Sequence, residues 1–318
     1  MTHEQTSTGW NDAVDELVTG DLTGALGYRT PAGGVVVQAV APIGLRDRER
    51  GVIGFTTSLG FSKKLERIAR DGRVCMAFHA REHGTAPGTV YALVHGEATV
   101  VERPSDAERA LIGEQARKYL GEGRTGPFWD RWLREYHSAR VPVWIDVDRV
   151  VTWPTLDGAG TPAVTGEPLP VAPPDPQSPP RNGTGPRIDV PRAAKRLRST
   201  AHTLVGFAGA DGRPVVLPAS VVAHDAAGLV LSTAWSPPPG GRRAGLLGHS
   251  YRPRLVGLRT RQYTGWLTVG DDGEIRYAPH TETGYVAPPN KTLLLLLNGA
   301  LAKRGTRAAA SRLSVEAR

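Results

Sequence analysis

Between Pro154 and Pro191 the chain carries 11 of its 26 prolines. Proline lacks a backbone donor and blocks the helical turn, so this stretch cannot form the interior of a sheet or a helix. It reads as a semi-rigid, extended linker that divides 318 residues into 1–153, 154–191 and 192–318. Each flanking part is long enough to bury a core of its own, with 40% hydrophobic residues available overall.

Charge is distributed unevenly across that division. The chain carries +8 overall, but residues 1–153 hold 19 basic against 20 acidic side chains and the linker holds 2 against 4. Residues 192–318 hold 18 against 7, so the whole excess lies there. Arginine supplies 33 of the 39 basic residues, which makes an adjacent pair of lysines conspicuous. The single cysteine, Cys75, excludes a disulfide framework and a Cys-based zinc site. No apolar run approaches the length of a membrane span. The opening MTHEQTSTGWND lacks the basic and apolar regions of a secretory signal, so the expectation is a soluble cytoplasmic protein.

Residues 1–153 are dominated by strand patterns. Gly24–Thr30, Val35–Ala41, Gly51–Thr57, Val74–Ala80, Val90–Val101 and Val141–Trp153 are β-branched or aromatic runs bounded by Gly, Pro and Asp. Helical patterns cover Asn11–Val18, Ser62–Arg70, Pro104–Leu120 and Pro127–His137. Short strands in hairpin order with few helices predict a mainly β chain, a small antiparallel barrel rather than a βαβ sheet. After the linker a shorter version of this order returns. Strands are expected at Leu204–Ala208, Pro214–Ala223, Leu229–Thr233, Arg254–Thr260 and Gly265–Gly270, a short helix at Arg242–His249 and a longer one from Asn290.

One local register supports an internal duplication. FTTS at Phe55–Ser58 is followed by Lys63 and Lys64, a helix, and Arg73 nine residues beyond the second lysine. LSTA at Leu231–Ala234 is followed by Arg242 and Arg243, an expected helix, and Arg252 nine residues on. Cations in the first turn of a helix oppose its dipole, at about 0.3–1 kcal/mol each. Their placement makes sense where an anion binds the free N–H groups. Thr56, Thr57 and Ser58 would add hydroxyl donors; a solvated basic turn is the plainer alternative.

These residues also resemble a known family. GVIGFTTSLGFSKKLERIARDGRVCMAFHA, followed by VYALVHGEATVVE, is similar to the pyridoxamine 5′-phosphate oxidase-like, flavin-binding split β-barrel proteins. The resemblance covers roughly residues 20–153 and, more weakly, 200–280. It implies a six-stranded barrel that binds FMN or the deazaflavin coenzyme F-420, with the phosphate on Thr56, Thr57, Ser58, Ser62, Lys63 and Lys64. Arg242 and Arg243 would be the counterparts in the second half, where arginines replace the lysines and three extra residues precede them; that half would alternatively wall off the first site or contribute Arg242, Gln262 or Trp266 across the interface. Family members pair with the cofactor between two barrels, so two barrels in one chain would form an internal pseudo-dimer, with further homodimerisation open. The implied function is a flavin- or deazaflavin-dependent oxidoreductase acting on a small molecule. No catalytic acid or base follows from the sequence.

Two rivals stand beside that expectation. One is a binding protein of the same fold that holds flavin, deazaflavin or haem without turnover. The other is a nucleic-acid or anionic-surface binder using the basic second half. Other signals carry less. Gly121–Gly126 matches G-x-G-x-x-G but follows a helix, so the dinucleotide-binding context is missing. His79 and His83 flank a strand end and read as a pair without a metal. Phe128, Trp129, Trp132 and Tyr136 recur at helical spacing, as on a helix pressed against a core or partner. Leu293–Leu297 suggest a buried helix, and the basic tail after Lys303 a solvated, frayed end.

Overall fold

The computed structural model describes residues 9–316 of the backbone and the side chains through Lys303. In chain order the first half holds α1 (Asp12–Gly20), β1 (Gly24–Arg29), β2 (Val35–Val40), β3 (Arg46–Asp47), β4 (Val52–Ser58) and α2 (Ser62–Arg70). There follow β5 (Arg73–Phe78), β6 (Tyr91–Val100), α3 (Asp106–Leu120), α4 (Pro127–Trp132), α5 (Arg134–Ser138) and β7 (Arg140–Trp153). The Pro-rich stretch contains β8 (Ala163–Gly166), and α6 (Val190–Arg198) begins at its end. The second half continues with β9 (His202–Ala208), β10 (Pro214–Pro218), β11 (Ser220–Asp225), β12 (Gly228–Ser232) and β13 (Gly240–Ser250). After a 3-10 turn at Pro253–Leu255 come β14 (Arg259–Val269), β15 (Ile275–Val286) and α7 (Lys291–Glu316).

The chain is mainly β, built as two split β-barrels. The first sheet runs β2-β1-β5-β6-β7-β4-β3, and the second β10-β9-β13-β14-β15-β12-β11. Numbered within each half, these orders are identical, as a duplication requires. Each sheet curls until its distant strands share one core. Val36 of β2 packs with Ile53 and Phe55 of β4, under Val14, Leu17 and Val18 of α1. In the second half, Leu217 of β10 meets Leu229 and Leu231 of β12 under Ala193, Ala194 and Leu197 of α6.

The halves also agree residue by residue. Gly27 of β1 faces Val37 and Cys75, while Gly206 of β9 faces Val216 and Gly245. A bulge interrupts β6–β7 at His95/Gly96 and β14–β15 at Thr264/Gly265. Carried outward, this register places Phe55–Ser58 opposite Leu231–Ala234, as the sequence suggested.

It corrects the rest of that comparison. Arg242–His249 is no helix but the middle of β13, and Arg243 corresponds to Arg73, not to Lys64. The expected strand Arg254–Thr260 begins in the 3-10 turn and continues through a further turn, with β14 starting only at Arg259. Pro214–Ala223 is two strands, and β15 carries no run that announces it. Nor does α7 end at Lys303: its backbone runs helical to Glu316, while the side chains of the basic tail lie outside those described.

The two barrels share a third core, in which Ala25, Val37, Cys75 and Tyr91 meet Leu204, Val216 and Leu247. Approach is close because glycines stand at the contact: a Cβ on Gly206 would lie 2.3 Å from Val37, and one on Gly27 2.9 Å from Val216. His79 and His249 occupy corresponding positions and meet, Nε2 to Nε2, at 2.7 Å. His202 packs edge-on to His79, with its Nε2 3.0 Å from Glu82. The linker lies across this seam. Gln177 donates from Nε2 to Gly33 O at 3.0 Å in the first half and accepts from Arg243 N at 3.0 Å in the second.

Candidate functional site

Strand β4 ends in Thr56, Thr57 and Ser58 because β-branched residues suit a pleated, half-buried surface. Leu59–Phe61 then turn the chain into α2. Phe61 occupies the N-cap position, so no side chain caps the free N–H groups, and the first turn holds no acidic residue. Ser62 is half-buried, Lys63 is exposed, and Lys64 points inward with only 6% exposure.

Lys64 is the unusual member of this group. Its Nζ lies 5.5 Å from the Phe55 ring centroid and 5.3 Å from that of Phe61. No carboxylate pairs with it among the described residues. Burial, reinforced by the neighbouring Arg140 guanidinium, pulls its pKa down to about 7. A buried ammonium without a counter-ion is costly unless something anionic reaches it.

Arg140 opens β7 and stands across the same corner. Its Nη1 donates to Thr56 Oγ1 at 2.7 Å, and its Nη2 donates to the Tyr136 hydroxyl of α5. The guanidinium also lies 4.9 Å from the Tyr136 ring centroid. His137 beside it is held below its usual pKa by burial and by the Arg140 charge. Thr57 Oγ1 is buried with no hydrogen-bond partner. The corner therefore combines two cations, an unused buried hydroxyl and an uncapped helix N-terminus. That is a donor set for an anion.

The second half reaches this corner too. Tyr285 of β15 lies close enough for Tyr136 to perturb its phenol, and Trp132 Nε1 donates to Leu296 O of α7 at 3.2 Å. The aromatic spacing in α4 and α5 thus serves a contact with α7 together with the Arg140 corner.

The structure brings Thr56, Thr57, Ser58, Ser62, Lys63 and Lys64 together at one corner, and it places Arg242 and Arg243 elsewhere. Arg242 is 1% exposed in β13, with Nη2 donating to Pro238 O at 3.0 Å. Arg243 donates from its backbone N to Gln177 and lies over the Trp266 ring. No helix corresponds to α2 here, since a proline-rich turn joins β12 directly to β13. Thr233, the counterpart of Thr57, keeps the same feature, a buried Oγ1 without a partner.

Sequence reasoning missed Arg140 and Tyr285, and took Tyr136 as one of an aromatic helical set pressed against a core or partner. Arg140 lies far from the Lys turn along the chain, and only the β4–β7 pairing, Thr56 opposite Pro142 and Ser58 opposite Arg140, brings it near. Several arginines of the basic second half are matched internally. Arg213 bridges to Asp148 at 2.5 Å and Glu167 at 3.1 Å, and Arg276 bridges to Asp225 at 2.7 Å.

Among the described residues no group of three or more His, Cys, Asp or Glu is arranged to hold a metal ion. His79 takes His249 as its partner, and His83 packs edge-on to Tyr251. No described helix is long and apolar enough to cross a membrane.

No family model matches the chain, and no curated protein matches it. Among solved structures it is similar to a conserved hypothetical protein of Mycobacterium tuberculosis, at 21% identity over 48% of this chain and 90% of that one, with a TM-score of 0.35. It is also similar to an F420 reductase, at 19% identity over 43% and 94% with a TM-score of 0.32. A third is a pyridoxamine 5′-phosphate oxidase-related, FMN-binding protein of Nostoc punctiforme, at 10% identity over 46% and 88% with a TM-score of 0.29. Each likeness covers about half of this chain.

Proposed function

We propose that the chain binds a phosphate-bearing flavin-type cofactor, FMN or the deazaflavin coenzyme F-420, and uses it as an oxidoreductase on a small molecule. The carrying observation is the buried, unpaired Lys64 beside Arg140 and the unpartnered Thr57 hydroxyl, at the uncapped start of α2. A phosphate there would neutralise both cations, take the Thr57 hydroxyl as a donor and satisfy the free N–H groups. Thr56, Ser58, Ser62 and Lys63 border the same position. Arg242 and Arg243 are left outside the cofactor set, because they lie in β13 away from the Lys64 corner: Arg243 is engaged with Gln177 and Trp266, and Arg242 donates from Nη2 to Pro238 O while its buried Nε and Nη1 have no partner.

The cofactor's ring system supplies the electron-transfer chemistry; the chain's own residues bind and orient it. In this reading Arg140, tied to Thr56 and Tyr136, is pre-set and loses little freedom when the anion arrives.

The test is a fluorescence titration with FMN and, separately, with coenzyme F-420. Lys64→Ala should weaken binding at least tenfold, about 1.4 kcal/mol. Unchanged affinity for both cofactors in that variant would remove the phosphate assignment. Reduction of the bound cofactor by NAD(P)H, or its reoxidation by a small-molecule acceptor, separates an oxidoreductase from a holding protein.

A further inference from the structure

In a duplicated chain each wall along the seam occurs twice, and the structure treats the two copies oppositely. The register defines the corresponding walls. In β6–β7, Tyr91 faces Trp153 and Leu93 faces Val151. In β14–β15, at the matching positions, Thr260 faces Tyr285 and Gln262 faces Thr283.

The first set is apolar and sealed. Tyr91, Leu93, Val151 and Trp153 are each no more than 2% exposed. Trp153 packs against Tyr91 at 5.2 Å and against Trp235 at 6.0 Å between ring centroids, with Leu169 of the linker added to the cluster. Strand β8 covers the outer edge of β7 along Arg149–Thr152. Arg149 fixes the chain that follows, donating to Glu167 O at 2.8 Å and Pro168 O at 2.7 Å.

The second set is polar and open. Thr260, Gln262 and Tyr285 are half-buried and Thr283 is exposed. Thr283 Oγ1 donates to Gln262 Oε1 at 3.2 Å, while Gln262 Nε2 donates across the seam to Val37 O at 2.8 Å. Beyond Tyr277 the outer edge of β15 pairs with no described strand. This open side includes Tyr285, whose phenol is raised by burial and by the neighbouring Tyr136, the hydroxyl that Arg140 holds.

We infer that the chain holds one cofactor, not two: the groove between the Lys64 corner and the Thr260–Gln262–Thr283–Tyr285 wall is the site, and its two-fold counterpart has become a packed brace. The inference rests on the proposed cofactor reading and adds its stoichiometry and its second wall. A hydroxyl- and amide-bearing wall suits the polar edge of a ring system whose phosphate is held at the opposite corner. The sealed side offers instead a tilted tryptophan–tyrosine contact, and its counterpart of Lys64 is missing along with the helix that would carry it. A polar cavity of about 430 Å³ remains between Arg29, Ala208–Ala210, Arg242, linker residues 172–175 and Gln177, but none of the four sealed residues lines it.

The test is an equilibrium titration of the full chain with FMN and with coenzyme F-420, followed by fluorescence and by isothermal calorimetry. Saturation at one equivalent per chain is expected. Gln262→Leu and Tyr285→Ala should each lower affinity about tenfold with the melting temperature retained. Trp235→Ala, on the sealed side, should lower the melting temperature and leave affinity and stoichiometry unchanged. Saturation at two equivalents would overturn the single site. One equivalent that is lost in Lys64→Ala but indifferent to Gln262→Leu and Tyr285→Ala would overturn the second wall while the phosphate reading stands. Failure of both cofactors to bind the wild-type chain would overturn the cofactor reading and this inference together.

Discussion

Lys64 ties a local cost to a binding opportunity. In the free protein its pKa is near 7, so at neutral pH about half the molecules have shed the charge that burial penalises. An arriving phosphate favours the charged form, so binding above pH 7 must also take up a proton. Affinity for FMN should therefore be level between pH 6 and 7 and fall by up to about tenfold per unit above it, the phosphate being already dianionic there. Calorimetry in buffers of different ionisation enthalpy would register the proton uptake directly. In Lys64→Gln both the pH slope and the proton uptake should vanish; a slope that survives the substitution would place the titrating group elsewhere.

At the scale of single elements, the first half was legible and the second only partly so. The strands and helices of residues 1–153 announce themselves through β-branched alternation and through signals such as the Ser105–Glu108 capping box of α3. Strand β13 does not. Its RRAGLLGHS carries Gly248 against Leu197 and Thr200 of its own half, and Gly245 against the Val35–Val37 backbone of the other barrel in a space no side chain could enter. Those glycines erase the alternation that marks a strand. Strand β15 hides for another reason, because a proline sits at its bulge and polar residues line its open side. The equal nine-residue spacing after the two cation pairs had no structural counterpart. The agreement of FTTS with LSTA did, because strand register survives the loss of a connecting helix.

The fold also buries histidines whose titration sets an acid limit. Burial pushes His79 and His95 down to about 3 and His249 well below its ordinary value. These side chains remain neutral in the fold while the unfolded chain protonates them below about 6.5. The unfolded state then binds more protons, so stability must fall as pH drops from about 6.5 toward 3. Each such group contributes a slope of about 1.4 kcal/mol per pH unit. Asp21, raised to about 7 by burial against the pull of Arg81, acts in the opposite sense, as one group against three. Urea midpoints should decline between pH 7 and pH 5, and less steeply in the His79→Gln, His249→Gln double variant. A flat midpoint across that range would contradict the assignment of neutral buried rings.

For the whole molecule, the decisive feature is that the two barrels share a core. Side chains of β1, β2 and β5 are buried against those of β9, β10 and β13, and neither half could expose that surface without loss. Ion pairs cross the seam as well: Arg149 meets Asp211 at 2.8 Å, and Arg213 meets Asp148. Scanning calorimetry should therefore give one cooperative transition for the full chain, whereas two separable transitions would show barrels that fold independently. The uneven charge of the sequence has its counterpart here. Arg213 of the second half answers Asp148 of the first, Arg149 of the first answers Asp211 of the second, and Arg196 and Arg276 pair within the second half, so these charges are matched internally.

The contact between His79 and His249 has a consequence for the symmetry itself. His79 Nδ1 lies 3.2 Å from Ala77 O, and a carbonyl can only accept, so that nitrogen carries the ring's hydrogen. A neutral His79 then has a bare Nε2, and the hydrogen in the 2.7 Å contact must come from His249. What remains on His249 is a bare Nδ1, the buried nitrogen that has no partner. Two separate but identical chains could place that hydrogen on either ring with equal energy. Joined in one polypeptide, the rings are no longer equivalent, and the direction of a single N–H bond distinguishes the first barrel from the second at corresponding positions.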